Sequence, residues 1–192
     1  MTFIRTVPEP EAEGETAAIY AEVRGSMGYL PNFVPLFSER PEVFRAWQQL
    51  NGALKTRDLR RYELATVAAA KALGSSYCAL SHGKVLAEQF LGPDAVADLP
   101  AGLDDVDLAV VALAEKVVRD ASSVTQADVD GLRELGLDDA EIVDVVLAAA
   151  ARCFFSKAVD ALGALPDGTF MGLDPALRES LTVGRPIERR GA

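Results

Sequence analysis

The chain has 192 residues, 49 % of them apolar, which suits one compact domain with its own core rather than several. A formal charge of −10 and a pI near 4.6 argue against nucleic acid or an anionic membrane surface as partner. The longest apolar stretch, residues 142–151, is too short to span a bilayer and is interrupted by Asp144, so no membrane partner is expected.

The opening Met1-Thr-Phe-Ile-Arg-Thr-Val-Pro lacks the long apolar stretch and cleavage site of a signal peptide. A cytoplasmic location is expected, where thiols stay reduced. Two cysteines make no disulfide framework. Two cysteines and one histidine show no metal-ligand spacing, and neither a metal nor a cofactor is expected.

Residues 1–13, rich in Pro and Glu, are expected as an extended N-terminal arm. From Glu15, the spacing of Ala18, Ile19, Glu22 and Val23 predicts a short amphipathic helix ending near Gly25. Gly28-Tyr-Leu-Pro-Asn32 reads as a turn, and Pro31 opens a helical turn carrying Phe33, Val34, Leu36 and Phe37. Pro41 starts a helix to about Leu54, with Val43, Phe44, Trp47 and Leu50 on one face. Thr56 or Asp58 caps the next helix, which runs to Leu73. Its alanine run, 68–70, lets neighbouring helix axes approach, and Gly74 stands where a helix-ending glycine belongs.

A second helix is predicted from Ser76 to Phe90, stopped by Gly92-Pro93. Residues 94–99 form a short turn or helix. Asp104 opens a helix to about Arg119. Thr125-Gln-Ala-Asp128 is a near capping box for a helix to Leu135, stopped by Gly136. Asp138-Asp-Ala-Glu141 opens the longest helix, to about Leu162. That helix is apolar over most of its surface, so it should be central or lie in a subunit interface. The tail, 166–192, is rich in Gly and Pro, with one turn at 174–181 and a basic end, Arg189-Arg190. No stretch alternates as a strand would, and the reading is an all-α bundle forming a single domain over residues 1–192.

Chemistry concentrates between Arg61 and His82. Glu63 lies on the first helix of this pair. Cys78 and His82, the only histidine, lie four residues apart on the second, on one face and one turn apart. A cysteine near a helix start, with an imidazole and a carboxylate close by, is the composition of a thiolate site. An unperturbed cysteine is only a few per cent ionised near neutral pH, and such neighbours raise that fraction. Taken singly, each residue has a plainer reading. Cys78 could be a small buried hydrophobe, His82 a helix-pairing histidine, Glu63 a solvated charge beside Arg60 and Arg61, and Ser75 a helix cap. Cys153, in the long apolar helix, reads as packing. Trp47, Phe33, Phe37 and Phe44 read as core, or as the wall of a pocket.

Glu63, Cys78 fifteen residues on, and His82 four further resemble the Glu-x(11)-Cys-x-x-Cys-x-x-x-His signature of AhpD-like alkylhydroperoxidases, within the carboxymuconolactone decarboxylase-like superfamily. Tyr77-Cys78-x-x-x-His82 is similar to the form of its peroxidase-related branch. So is the order of amphipathic helix, Gly-x-x-Pro-Asn turn and Pro-Glu-x-x-x-x-Trp helix. The likeness runs from about Glu11 to about Leu91, and more weakly to Pro166.

The resemblance implies an AhpD-like multi-helical bundle and thiol-dependent reduction of a peroxide. It implies that a relay of Glu63 and His82 deprotonates Cys78, with Tyr77 a lesser candidate. The thiolate would reduce hydrogen peroxide or an alkyl hydroperoxide and become a sulfenic acid. The family's first cysteine falls at position 75, which is serine. Ser75 cannot close a disulfide, so turnover would draw on an external thiol reductant, or on Cys153 if the fold brings it near. Two alternatives stay open. One is acid–base chemistry by Glu63 and His82 on a lactone acid, anchored by Arg60 or Arg61, as in the decarboxylases. The other is a non-catalytic member of the fold. The resemblance and the apolar long helix both imply a homo-oligomer.

Overall fold

The computed structural model describes residues 2–55 and 57–189. Thr56, one of the two expected caps, and Arg190, part of the basic end, lie outside the described residues. Among the described residues the structure is all-α. The order is α1 (Gly14–Met27), α2 (Pro41–Leu54), α3 (Leu59–Ala72), α4 (Ser76–Leu86), α5 (Pro93–Ala97), α6 (Asp105–Asp120), α7 (Gln126–Glu134), α8 (Asp139–Ala161) and α9 (Pro175–Leu181). None of these helices is long and apolar enough to cross a membrane.

Helix boundaries follow local chemistry. Pro41 opens α2 at a position where its missing N–H costs nothing. Asp58 caps α3 by accepting from Arg61 N at 2.9 Å, an arrangement worth about 1 kcal/mol. Asp104 does the same for α6. Capping boxes open α7 at Thr125/Asp128 and α8 at Asp138/Glu141. Between α3 and α4, Gly74 turns the chain at φ 68°, a left-handed conformation that glycine adopts at little cost. The helix expected to reach Phe90 instead ends at Leu86 and continues as a wider turn over Ala87–Leu91. Gly92 N donates to Ala87 O, five residues back, which loosens the last turn.

The centre of the molecule is α3, not the longer α8. Every residue of α3 from Tyr62 to Ala70 is buried, and α4, α6 and α8 all pack on it. Its small side chains permit this close approach. Helix α8 is apolar over most of its surface, but only one face is covered. Ile142, Val145, Ala148, Ala149, Arg152, Phe155 and Val159 point inward, while Val143, Leu147 and Phe154 are exposed.

The N-terminal arm is tied down by Phe3 N to Leu162 O, Val7 N to Ser38 Oγ and Tyr20 Oη to Val7 O. The C-terminal segment is a strap across α4. Tyr77 on α4 donates to the buried Asp167, which also accepts from Asn32 N. Leu181 on α9 sits against Gly83, and Gly184 N donates to Ser76 Oγ at 2.7 Å. Gly184 passes so close to the Gly74 carbonyl that a Cβ would stand 1.9 Å from that oxygen. The helix bearing Cys78 and His82 is thus held between α3 and the strap.

Candidate active site

Cys78 is the third residue of α4, in the turn where unpaired backbone N–H groups face out. It is only 2 % exposed. One turn on, His82 Nδ1 lies 2.6 Å from Oε2 of Glu63 on α3, and Glu63 is 1 % exposed. The solvated-charge reading of Glu63 is therefore excluded. Lys55 Nζ lies 4.0 Å from the other Glu63 oxygen and 5.4 Å from the centre of the Tyr62 ring. Tyr62 itself donates to Asn51 Oδ1 at 2.6 Å.

A further residue joins this group. Arg152, near the middle of α8 and 2 % exposed, places Nη1 3.0 Å from His82 Nε2 and 3.6 Å from Cys78 Sγ. Its guanidinium carbon lies 5.2 Å from the Trp47 ring centre and 5.4 Å from that of Phe155. Those two rings stack at 4.5 Å. Arginine can only donate, and a carboxylate can only accept. Glu63 therefore fixes the proton on His82 Nδ1, and Arg152 donates to the lone pair on Nε2. This is the neutral imidazole with both nitrogens engaged. Burial, then the charge of Arg152, holds the His82 pKa down to about 4, against the opposing pull of Glu63. In this arrangement His82 Nε2 faces Arg152 Nη1 at 3.0 Å.

These side chains surround a cavity of about 290 Å³. Its wall runs from the exposed Met27 and half-exposed Lys55 through Phe33, Trp47 and Phe155 to Cys78, His82 and Arg152. Of the expected aromatic cluster, Phe33 and Trp47 line the cavity, while Phe37 and Phe44 pack behind them. A larger cavity, about 400 Å³, lies elsewhere and is lined in part by Arg57, Arg60, Arg61, Glu141 and Asp144. Arg60 pairs with Asp107 and Arg61 with Glu141. Neither lines the Cys78 cavity, so neither serves the substrate-anchoring part that the decarboxylase alternative assigns it.

Ser75 and Tyr77 sit in the same turn but face other neighbours. Ser75 is fully buried at the N-cap of α4, and its hydroxyl makes no capping bond there. It lies near Asp160, whose carboxyl burial raises above its usual range, with Ser75 opposing that rise. Tyr77 lines the cavity with its ring, edge-on to Phe33. Its hydroxyl points away, to Asp167. Burial and the Asp167 charge push the Tyr77 phenol well above its ordinary pKa, and burial likewise raises Asp167. Cys153 is half-buried and does not line the cavity.

Arg152 was not among the expected site residues. One signal pointed to it: a lone charge within the apolar run 148–155. Arginine is almost never fully buried unless it has a partner.

No family model and no curated protein matches the chain. Solved structures do. The AhpD core of a peroxidase-related protein from Ralstonia eutropha JMP134 superposes with a TM-score of 0.79 at 25 % identity, over 88 % of this chain and 94 % of that one. A peroxidase-related protein from Silicibacter sp. TM1040 gives 0.71 at 18 % identity, over 90 % and 98 %. The debrominase Bmp8, bound to 2,3,4-tribromopyrrole, gives 0.70 at 13 % identity, over 94 % and 96 %.

Proposed function

We propose, from its likeness to the AhpD-core structures, that the chain is an AhpD-like, peroxidase-related oxidoreductase whose nucleophile is Cys78. One observation carries the reading. A buried thiol at the start of a helix lies against a guanidinium and a Glu63–His82 pair, at the base of a mainly apolar cavity. The cavity, about 290 Å³, suits a small molecule and falls just below the usual range of about 300–1,000 Å³.

The chemistry is a two-electron transfer. The Cys78 thiolate attacks the distal oxygen of a hydroperoxide. The S–O bond forms as the O–O bond breaks, and the electron pair leaves on the alkoxide, or on hydroxide when the oxidant is hydrogen peroxide. That oxygen takes a proton from water. Sulfur is oxidised to sulfenic acid and the peroxide is reduced to an alcohol or water. Return to the thiol needs two equivalents of an external thiol, because Ser75 has no sulfur to offer and Cys153 lies outside the cavity. The first forms a mixed disulfide with loss of water, and the second releases the disulfide product. Cys78 is so deeply set that this reductant must be slender enough to enter the cavity.

The test is to treat wild type and Cys78→Ser with hydrogen peroxide and an organic hydroperoxide, and to trap sulfenate. Sulfenate in the wild type alone is expected. A wild-type thiol that ignores peroxide sinks the reading. Acid–base chemistry by Glu63 and His82 on a lactone acid would survive Cys78→Ser, with Arg152 or Lys55, the cations of this cavity, as its anchor. We also propose that the protein is a homo-oligomer, on the strength of the uncovered apolar face of α8.

A further inference from the structure

Among the described residues, Arg152 pairs directly with no carboxylate. Only Nη1 has hydrogen-bond contacts, and these go to His82 and Cys78. Nε and Nη2 are buried with no hydrogen-bond partner. The aromatic faces of Trp47 and Phe155 supply a weaker attraction, about 2 kcal/mol when desolvated. Burying a guanidinium in this way is costly unless an anion stands close, and the anion of Glu63 reaches it only through a neutral imidazole.

The charges around the cavity make the same point. Glu63 carries one negative charge, Arg152 and Lys55 one positive charge each, and His82, Tyr62 and a Cys78 thiol none. With the thiol protonated, the group holds one positive charge in excess. With the thiolate formed, it is neutral. Charges of this kind interact strongly in a low-dielectric interior, and the Cys78 sulfur lies 3.6 Å from Nη1.

We propose that Arg152 is a catalytic residue, the cation against which the Cys78 thiolate forms and reacts, and that His82 and Glu63 act through it as positioning residues. His82 holds Nη1 in place by accepting one of its protons, and Glu63 fixes the ring that does so. Arg152 keeps its proton throughout, since guanidinium stays charged at every relevant pH. The thiol proton leaves to bulk solvent through the cavity mouth. This assignment rests on Cys78 being the nucleophile.

The experiment uses the full chain with Cys153→Ser, so that one thiol reports. Alkylation by iodoacetamide, a neutral reagent, is followed against pH for wild-type Arg152, Arg152→Gln and Arg152→Lys. Loss of an adjacent opposite charge should slow the Gln variant roughly tenfold or more at neutral pH. The gap should close as pH is raised, and the Lys variant should recover most of the rate. A Gln variant as fast as the wild type at every pH overturns the assignment. So does a pH-independent loss shared equally by Gln and Lys, which is the signature of a merely structural role. Should the Gln variant fail to fold, the Lys variant decides: a wild-type profile supports the assignment and one displaced to high pH overturns it. Alkylation does not involve peroxide. If wild type alkylates as described yet forms no sulfenate, the peroxidase reading fails and the role of Arg152 stands.

Discussion

His82 is mostly buried and held uncharged, and that has a measurable cost in acid. Its pKa in the folded chain is about 4, below the ordinary 6.5. Between those values the unfolded chain binds a proton that the folded one refuses. Stability is therefore fully present above about pH 6.5 and falls as pH drops towards 4, by on the order of 3 kcal/mol. The buried carboxyls of Asp160 and Asp167, raised above their usual range, act in the opposite sense as they take up protons. Comparison with His82→Gln isolates the histidine: urea unfolding across pH 4–7 should show a shallower slope in the variant. Glu63→Leu removes the anion. The direct loss is the acceptor of the buried His82 Nδ1–H, so a cost of about 1–3 kcal/mol is expected, read in the same urea titration. At this scale the sequence was legible where residues are close along the chain. Cys78 and His82 share a helix face, and Glu63 follows from the family spacing. Arg152 was hidden because its partners lie 74 and 70 residues away, and neither propensity nor periodicity speaks at that distance.

Helix α4 is seated from two sides, and the two sides were unequally visible in the sequence. The α3–α4 turn is marked by Gly74, and the caps Asp58, Asp104 and Asp138 are local chemistry, so most helices begin where their residues suggest. The strap's sequence predicts only a tail with one turn. Its grip is made by a glycine without a side chain and by a buried hydrogen bond to Asp167, features that leave no pattern. Gly184→Ala tests it. The Cβ would collide with the Gly74 backbone, so the strap must lift from the start of α4. Overpacking of this kind costs about 1–3 kcal/mol. Thermal melting should report the loss, and iodoacetamide should find Cys78 more accessible. Ser76→Ala, which removes only the bond to Gly184 N, should cost about 1 kcal/mol. The widened turn at Ala87–Leu91 also escaped prediction, because it depends on where Gly92 sends its N–H.

The whole molecule shares one buried apolar cluster that includes residues from α1 to α9, and calorimetry should find a single cooperative transition. Its outer face on α8 supports assembly. Val143, Leu147 and Phe154 lie within one to three turns of each other and are about half exposed. If copies of the chain cover that face, Leu147→Glu should shift sedimentation towards the monomer and leave the helical content intact. That α8 is rich in apolar residues was plain from the sequence. Which of its faces is left bare depends on where α3 and α6 dock, and so had to be seen. The strap has a last consequence, in the order of synthesis. Tyr77 and Asp167 are 90 residues apart, and Ser76 and Gly184 are 108 apart. A ribosome releases α4 long before it makes the segment that seats it. An interrupted chain would carry Cys78 on an unclamped helix, so the surroundings of that thiol are complete only once translation is.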